Sequence, residues 1–600
     1  MKKHFLLFFV IILQACTQPQ ESSNNNIAKV ESGLINRVYL KGDSTWTIED
    51  RMEHYGVPGV SIAVIKDNKI DWVKSYGVMD KETNEPVTTK TLFQAGSISK
   101  PVAAYGALRL ADHGKINLDE NVNTYLRSWQ LPDNEFTNEK KVVLKHLLSH
   151  TGGVTVHGFL GYSPDLPVPS LLEVLEGTHP PANSPAIRVD KIPEASYRYS
   201  GGGYCIMQQM LIDLEGKPFP QIMNEQVLQP LQMTSSTYNQ PLNEAQLKFA
   251  ATGYLPDGTM TKGKRHTYPE MAAAGLWSTA EDLAKFAIDL QMTLKGESTT
   301  VLSKEMATKM TTPFVDDFIG LGIFLDKIRE DVYFEHGGWD EGFSSHLIAH
   351  RDKGYGVVVL TNSNHPQFIS ELIRSVALAY NWGNYVPVYK KMEMDASSFP
   401  AIIGRYHNGS DGLISIFNEG NRLFMRYIRG EATELFKISD STYVRRENDQ
   451  VIQFKVNPDD EKLNILFSSD VGKPAELVNA RMQESEKKPY EYLLAGDFDR
   501  ALKEYQILLK TNPKDRAIDE GNLNRQGYDL MRSDKTKLAQ DIFKINMILY
   551  PGSPNVYDSY AEACMKIGDT DLAIINYKKA LSMDPKNTKA VKMLEELQKK

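Results

Sequence analysis

A chain of 600 residues is longer than one hydrophobic core organises, and at about 150 residues per domain it predicts three or four domains, fewer if one is large. Its 41% hydrophobic and 24% charged residues are those of a globular protein, and a formal charge of −8 with both signs interspersed leaves no basic stripe, which argues against nucleic acid as a partner. The three cysteines, Cys16, Cys205 and Cys564, form no C-x-x-C pair, so no zinc or redox site and no cofactor is expected.

Met1 to His4 is a basic opening, and Phe5 to Leu13 is an apolar run too short to span a bilayer as an ordinary helix. It ends in Leu13-Gln14-Ala15-Cys16, which is similar to the bacterial lipoprotein box, where the cysteine is lipidated and becomes the first mature residue. Gln14 departs from the small residue usual there; plain secretion and an uncleaved anchor are the alternatives. The expectation is a signal peptide at 1–15 and a flexible tether at 16–35, rich in Gln, Ser and Asn. The remaining chain would be lipid-anchored at a membrane of the bacterial cell envelope, facing the periplasm.

Thr47 to Tyr55 carries a helical pattern. Val57 to Ile65 is a buried-strand run, Asp67-Asn68 a turn and Ile70 to Tyr76 a second strand, together a hairpin. Residues 91–104 then contain Ser97-Ile98-Ser99-Lys100. If Ser97 opens a helix running to Ala111, Ser97 and Lys100 share one face a turn apart, and the lysine amine can reach the serine hydroxyl. A serine needs such a base to become a nucleophile, and a helix N-terminus supplies N–H donors where an acyl oxyanion would form. A capping serine beside a surface lysine is the plainer reading of so short a motif.

Leu144 to Gly153 reads as a helix ending in a Thr-Gly-Gly turn. His146 and His150 are spaced to share a metal, but no third ligand follows usefully, so both read as structural histidines. Tyr197 and Tyr199 stand beside Gly201 to Gly203, where backbone can pass close to a ligand, and a helix follows from Cys205 to Leu214. A tyrosine there either relays a proton or packs its ring in a core. Ala280 to Leu294 is an amphipathic helix capped by Ser278 or Thr279. Phe334 to Trp339 precedes two strand-like runs, Ser345 to His350 and Gly356 to Leu360; Gly337 and Gly338 would let substrate lie along a strand edge, with His336 presenting a switchable charge. The assembly expected is α+β, an antiparallel sheet flanked by helices.

These segments together resemble the serine β-lactamase and penicillin-binding superfamily over residues 36–385, in particular its class C-like branch of esterases, D-aminopeptidases and D-Ala-D-Ala carboxypeptidases. Ser97 and Lys100 match the family's S-x-x-K, Tyr199-Ser200-Gly201 its Y-x-N, and His336-Gly337-Gly338 its K/H-x-G. Leu147 to Gly153 and Gly275 to Thr279 are similar supporting stretches. The resemblance implies a β-lactamase-like transpeptidase fold and an acyl-enzyme route. Ser97 would attack a carbonyl of a small-molecule or peptide ester or amide, Lys100 and Tyr199 would share its proton, and the N–H groups of Ser97 and Trp339 would hold the oxyanion. Tyr197 is the rival to Tyr199. Glycine at 201 replaces an asparagine that contacts the amide of β-lactam or peptidyl substrates, and His336 replaces the usual lysine. Both departures tilt the implied activity toward an esterase or a D-amino-acid amidase or peptidase. A β-lactamase, a D-Ala-D-Ala carboxypeptidase or a non-catalytic penicillin-binding sensor are the alternatives.

Residues 395–480 change character, with short strands such as Leu413 to Phe417 and Val451 to Val456 separated by Gly, Asn and Asp, the pattern of a small β-barrel or sandwich. From 487 to 600 the pattern is helical and repeats: Ala539 and Ala573, Phe543 and Tyr577, and Pro551 and Pro585 recur at the tetratricopeptide period, while Ala501, Tyr505 and Pro513 precede them at a spacing lengthened near Asp515 to Asn522. Such an array, closed by a polar capping helix, would offer a concave surface to a protein partner, or serve as a spacer.

Overall fold

The computed structural model describes residues 18–459 and 461–598, so the signal segment and Cys16 lie outside the described residues. The chain divides into two compact units. One holds Asp43–Pro387 with the residues preceding Val38; the other holds Val38–Gly42 with the chain from Val388 onward.

In the first unit, helix α1 (Gln18–Glu31) occupies part of the expected flexible tether. Its end is tied down: Val30 is buried, Ser375 Oγ donates to Val30 O at 2.8 Å, and Tyr76 Oη donates to Glu31 at 2.9 Å. Helix α2 (Ile48–Tyr55) is closed at its start by a capping box between Thr47 and Asp50. The hairpin follows as β1 (Gly59–Lys66) and β2 (Lys69–Asp80), joined at Asp67 and Asn68, both with positive φ as a tight two-residue turn requires. With β3 (Glu85–Pro86), β4 (Phe324–Ile328), β5 (Asp331–Asp340), β6 (Phe343–His350) and β7 (Gly356–Thr361), these strands form one antiparallel sheet in the order β3-β2-β1-β7-β6-β5-β4. Central strand β7 is buried along its whole length, because α-helices cover the sheet.

The nucleophile segment becomes helix α3 (Ser99–Asp112), buried through almost its entire length. It runs through the main core with α4 (Gly201–Glu215) and α5 (Ala280–Lys295), whose cap is Thr279. Helix α6 (Pro366–Ala379) is joined to α2 by an Arg51–Glu371 ion pair at 2.6 Å, with both side chains largely buried. The triple glycine is the first turn of α4, with Ser200 Oγ accepting from Gly203 N at 3.0 Å. The helix begins four residues earlier than its apolar pattern predicts because Ser200 supplies the cap that lets it start on glycine, and the glycines pass close to other backbone, a Cβ at Gly202 falling 2.5 Å from Thr155 O.

In the second unit, eight strands from Gly404–Asn408 to Leu477–Ala480 pair in sequence order. The ends of this sheet meet, since Tyr406 bridges Arg481 and Met482 N donates to Arg405 O at 2.7 Å, making a nearly closed barrel around Tyr406, Ile414, Leu423 and Leu435. Val38–Gly42, expected within the first domain, belongs here: Tyr39–Leu40 pairs in parallel with Val388–Tyr389. The helices from Pro489–Leu494 to Thr588–Gln598 pack in series, and the alanines and aromatics of the repeat, Ala539, Phe543, Ala573 and Tyr577, are buried between them. Barrel and helices, expected as separate domains, share this unit. Buried Asp411 of the barrel pairs with Arg429 while accepting from Tyr490 N at 2.9 Å and Tyr505 Oη at 2.8 Å.

Candidate active site

Ser97 lies in a 3₁₀ turn, Gly96–Ile98, immediately before α3, so the α-helix begins at Ser99 and Ser97 stands at its mouth. Gly96 has φ +52°, and a side chain on it would fall 2.5 Å from Trp339 N; only glycine lets the serine turn press against β5. Gly338 answers from the strand, where a Cβ would strike Ala95 O at 2.0 Å, and Ser345 Oγ donates to that same carbonyl at 2.8 Å. Ser99 Oγ fastens the turn further, donating to Gly96 O at 2.6 Å and accepting from Leu276 N at 2.9 Å.

Lys100 is 2% exposed, and its Nζ donates to Ser97 Oγ at 3.0 Å and to Ala273 O at 2.7 Å. Ala273 sits on a short helical turn, Met271–Ala274, held by Gln208 of α4, which accepts from Ala272 N at 2.9 Å and donates to Pro269 O at 3.0 Å. The lysine is thus aimed at the serine by a backbone carbonyl rather than by a carboxylate.

Tyr199 brings its ring centre to 4.9 Å from Lys100 Nζ. Its ring lies on that of His150, centroids 4.3 Å apart, with His157 at 4.9 Å on another side. His150 is buried and accepts from Ser200 N on Nδ1 at 3.1 Å. Burial first, and then the neighbouring Lys100, hold its imidazole well below the usual histidine range, so it is neutral. Tyr197 packs instead on Phe318 at 4.9 Å, and burial raises its phenol.

His336 corrects an expectation. Burial and Lys100 push it down to about 3, and its Nδ1 donates to Gly337 O at 2.6 Å. It therefore stays neutral across the physiological range and presents no switchable charge, because a cation cannot be added in a buried site already holding Lys100. Its ring packs against Phe324 at 5.0 Å and lies 6.3 Å from that of Tyr199.

Ser97, Lys100 and Tyr199 open into a cavity of about 590 Å³ walled also by Phe159, Leu160, Asn183, Trp339 and Asp340. Leu160 and Trp339 are 60% and 49% exposed, which gives the mouth an apolar rim. At Gly201 a Cβ would fall 2.9 Å from the Phe159 ring and 3.2 Å from His157 O. The space an asparagine would enter is filled.

Ser97, Lys100, Tyr199, His336 and the Gly337 to Trp339 backbone, spread over more than 200 residues of sequence, converge here. His146 does not join them: its Nε2 faces Glu194 at 3.1 Å while His150 backs Tyr199, so the two histidines of one short helix end serve different neighbours. Ala273, Phe159 and Asp340 carry no signal in the sequence beyond, for Asp340, its place just after the glycine pair.

A family model described as Beta-lactamase matches residues 46–381. Protein flp of Staphylococcus aureus is 24% identical over 354 residues, 56% of this chain and 66% of that protein. The unguisins hydrolase of Aspergillus campestris is 26% identical over 345 residues, 54% of this chain and 62% of that one. These matches therefore span just under two thirds of the relatives' lengths. Among solved structures, the octameric penicillin-binding protein homologue from Pyrococcus abyssi superposes with TM-score 0.48 at 22% identity, covering 72% of this chain and 98% of its own. The D-amino acid amidase from Ochrobactrum anthropi SV3 does so with TM-score 0.46 at 20% identity, covering 60% and 98%.

Proposed function

The chain belongs to the beta-lactamase family, and on that premise we propose that it is a serine hydrolase acylated on Ser97, acting on an ester or a D-aminoacyl amide. The observation that carries this reading is Lys100 Nζ at 3.0 Å from Ser97 Oγ, with the Tyr199 ring against the same amine. Ser97 Oγ attacks the substrate carbonyl carbon as its proton passes to the Lys100–Tyr199 pair. The oxyanion forms between the backbone N–H groups of Ser97 and Trp339, a role supported by the contact of the Gly96 turn with Trp339. As the tetrahedral species collapses, the pair returns the proton to the leaving alcohol or amine, and acyl-Ser97 remains. Water then attacks the acyl carbon, giving up a proton to the pair; the acid departs and Ser97 regains its hydrogen.

The filled space at Gly201 supports ester or aminoacyl amide over β-lactam, because position 201 lacks the side-chain amide that in the family's motif would read a lactam's acyl arm. The hydrolase among its relatives supports turnover rather than a sensor. The Leu13 to Cys16 stretch supports a lipid anchor on Cys16 and work in the bacterial cell envelope, facing the periplasm, and the helical repeats of the second unit support a tetratricopeptide-type protein partner there.

Incubation with a fluorophosphonate probe tests the reading: a covalent adduct on Ser97, lost in Ser97→Ala, is expected, with turnover of a p-nitrophenyl ester or a D-alanyl anilide. Faster hydrolysis of a chromogenic cephalosporin than of either would favour the β-lactamase alternative, and labelling with no turnover the sensor. Absence of any adduct would refute the nucleophile.

A further inference from the structure

The cavity beside Ser97 holds an acidic side chain that the reaction above does not use. Asp340, the last residue of β5, is 1% exposed and lines the cavity, where only the Tyr268 hydroxyl acts on its carboxyl as a hydrogen-bond donor and neither oxygen is bonded at normal distance among the described residues. Buried Glu270, just before the turn that carries Ala273, acts electrostatically on Asp340, and its two oxygens likewise find no hydrogen-bond partner. Buried polar groups in folded proteins are normally paired, so the under-satisfied Asp340 carboxyl at the cavity wall marks a place for something the protein does not itself provide. The cation that acts on Asp340 is Lys100, already hydrogen-bonded to Ser97 and Ala273.

The missing component has hydrogen-bond donors and a positive charge. An ionised carboxylate accepts and does not donate, whereas a primary ammonium offers three donors. No arginine and no second lysine lines the cavity to receive a substrate carboxylate. Resting on the reading of Ser97 as the acylated nucleophile, we propose that Asp340 sets the specificity of this site by receiving the protonated amine of an aminoacyl ester or amide. The place of the amine follows from the strand. Trp339 N lies against the serine turn, and Asp340 is the next residue, about 3.3 Å farther along β5. An ammonium held by Asp340 sits within a few bonds of the carbonyl Ser97 attacks, as it does in an α-aminoacyl group. Burial holds the empty-site carboxyl of Asp340 well above the usual range, and the arriving ammonium supplies the counter-charge that lets it ionise. The apolar rim at Leu160 and Trp339 then faces the amino acid's side chain.

The test compares alanine p-nitroanilides of both hands, with the amine free or N-acetylated, on the wild type and Asp340→Asn. The wild type is expected to favour the free amine in kcat/KM by about 30-fold or more, and D340N to lose most of that ratio. A wild type indifferent to acetylation, or a D340N variant whose losses on the two substrates are equal, would overturn the assignment. A second readout needs no turnover: millimolar alaninamide should slow fluorophosphonate labelling of Ser97 in the wild type far more than N-acetylalaninamide does, and the difference should vanish in D340N. Normal labelling with equal protection by the two amides sinks the amine site alone. Absence of labelling sinks the nucleophile as well, so the two failures are distinguishable.

Discussion

Lys100 Nζ stands 3.0 Å from Ser97 Oγ and takes its orientation from the Ala273 carbonyl, to which it donates at 2.7 Å. Lys100→Met should lower kcat/KM for an ester substrate by about 10²–10⁴-fold, and Ser97→Ala by at least as much. Because the two act as a unit, the double variant should be no worse than the poorer single one, as measured by initial rates on p-nitrophenyl acetate.

His150 is expected to support Tyr199 rather than to touch substrate. His150→Phe keeps a ring at 4.3 Å from Tyr199 but removes the acceptor for the buried Ser200 N–H. An unpaired buried amide costs about 1–3 kcal/mol, which thermal unfolding should register. His150→Ala also withdraws the ring, and kcat should fall further while the fluorophosphonate adduct on Ser97 still forms. Equal kcat in the Phe and Ala variants would contradict the supporting role.

Restoring the family's asparagine should not by itself create a β-lactamase. In Gly201→Asn the new Cβ meets the Phe159 ring at 2.9 Å, so the variant should melt below the wild type with little gain on a cephalosporin. Adding Phe159→Ala removes the ring and should recover part of the melting temperature lost in the single variant. Melting curves of the single and double variants, run beside the cephalosporin assay, decide it.

Glu270 ties stability to pH. Burial raises it from an ordinary 4.5 to about 8, so the folded chain keeps a proton that the unfolded chain releases over that window. Stability must then fall as pH rises from about 4.5 to 8, by about 1.4 kcal/mol per unit at most from this group. Gln cannot titrate, so the melting temperature of Glu270→Gln minus that of the wild type should grow steadily from pH 5 to pH 8. A difference that stays flat would show that Glu270 is already ionised in the folded protein.

Much of this protein is written in local spacing. One helical turn between Ser97 and Lys100, the period-two hairpin turning at Asp67 and Asn68, and the burial of Ala539, Phe543, Ala573 and Tyr577 follow from residue type and interval. The segments holding Tyr199 and the His336 to Trp339 stretch were likewise legible, because each carries glycines at fixed offsets that only close backbone approach explains. Features that depend on partners far along the chain exist only once the chain is folded. Lys100 is aimed by a carbonyl 173 residues away, and the place open to a side chain at 201 is taken by Phe159. His336 is neutral because it is buried beside Lys100, and the tether's end is helical and docked because Tyr76 and Ser375 hold it. Asp340 has no local signature either: an aspartate at a strand's end usually faces water, and this one is walled into the cavity by the contact of β5 with the serine turn. Periodicity reports which face of an element is apolar; desolvation and charge balance depend on what the fold sets against that face.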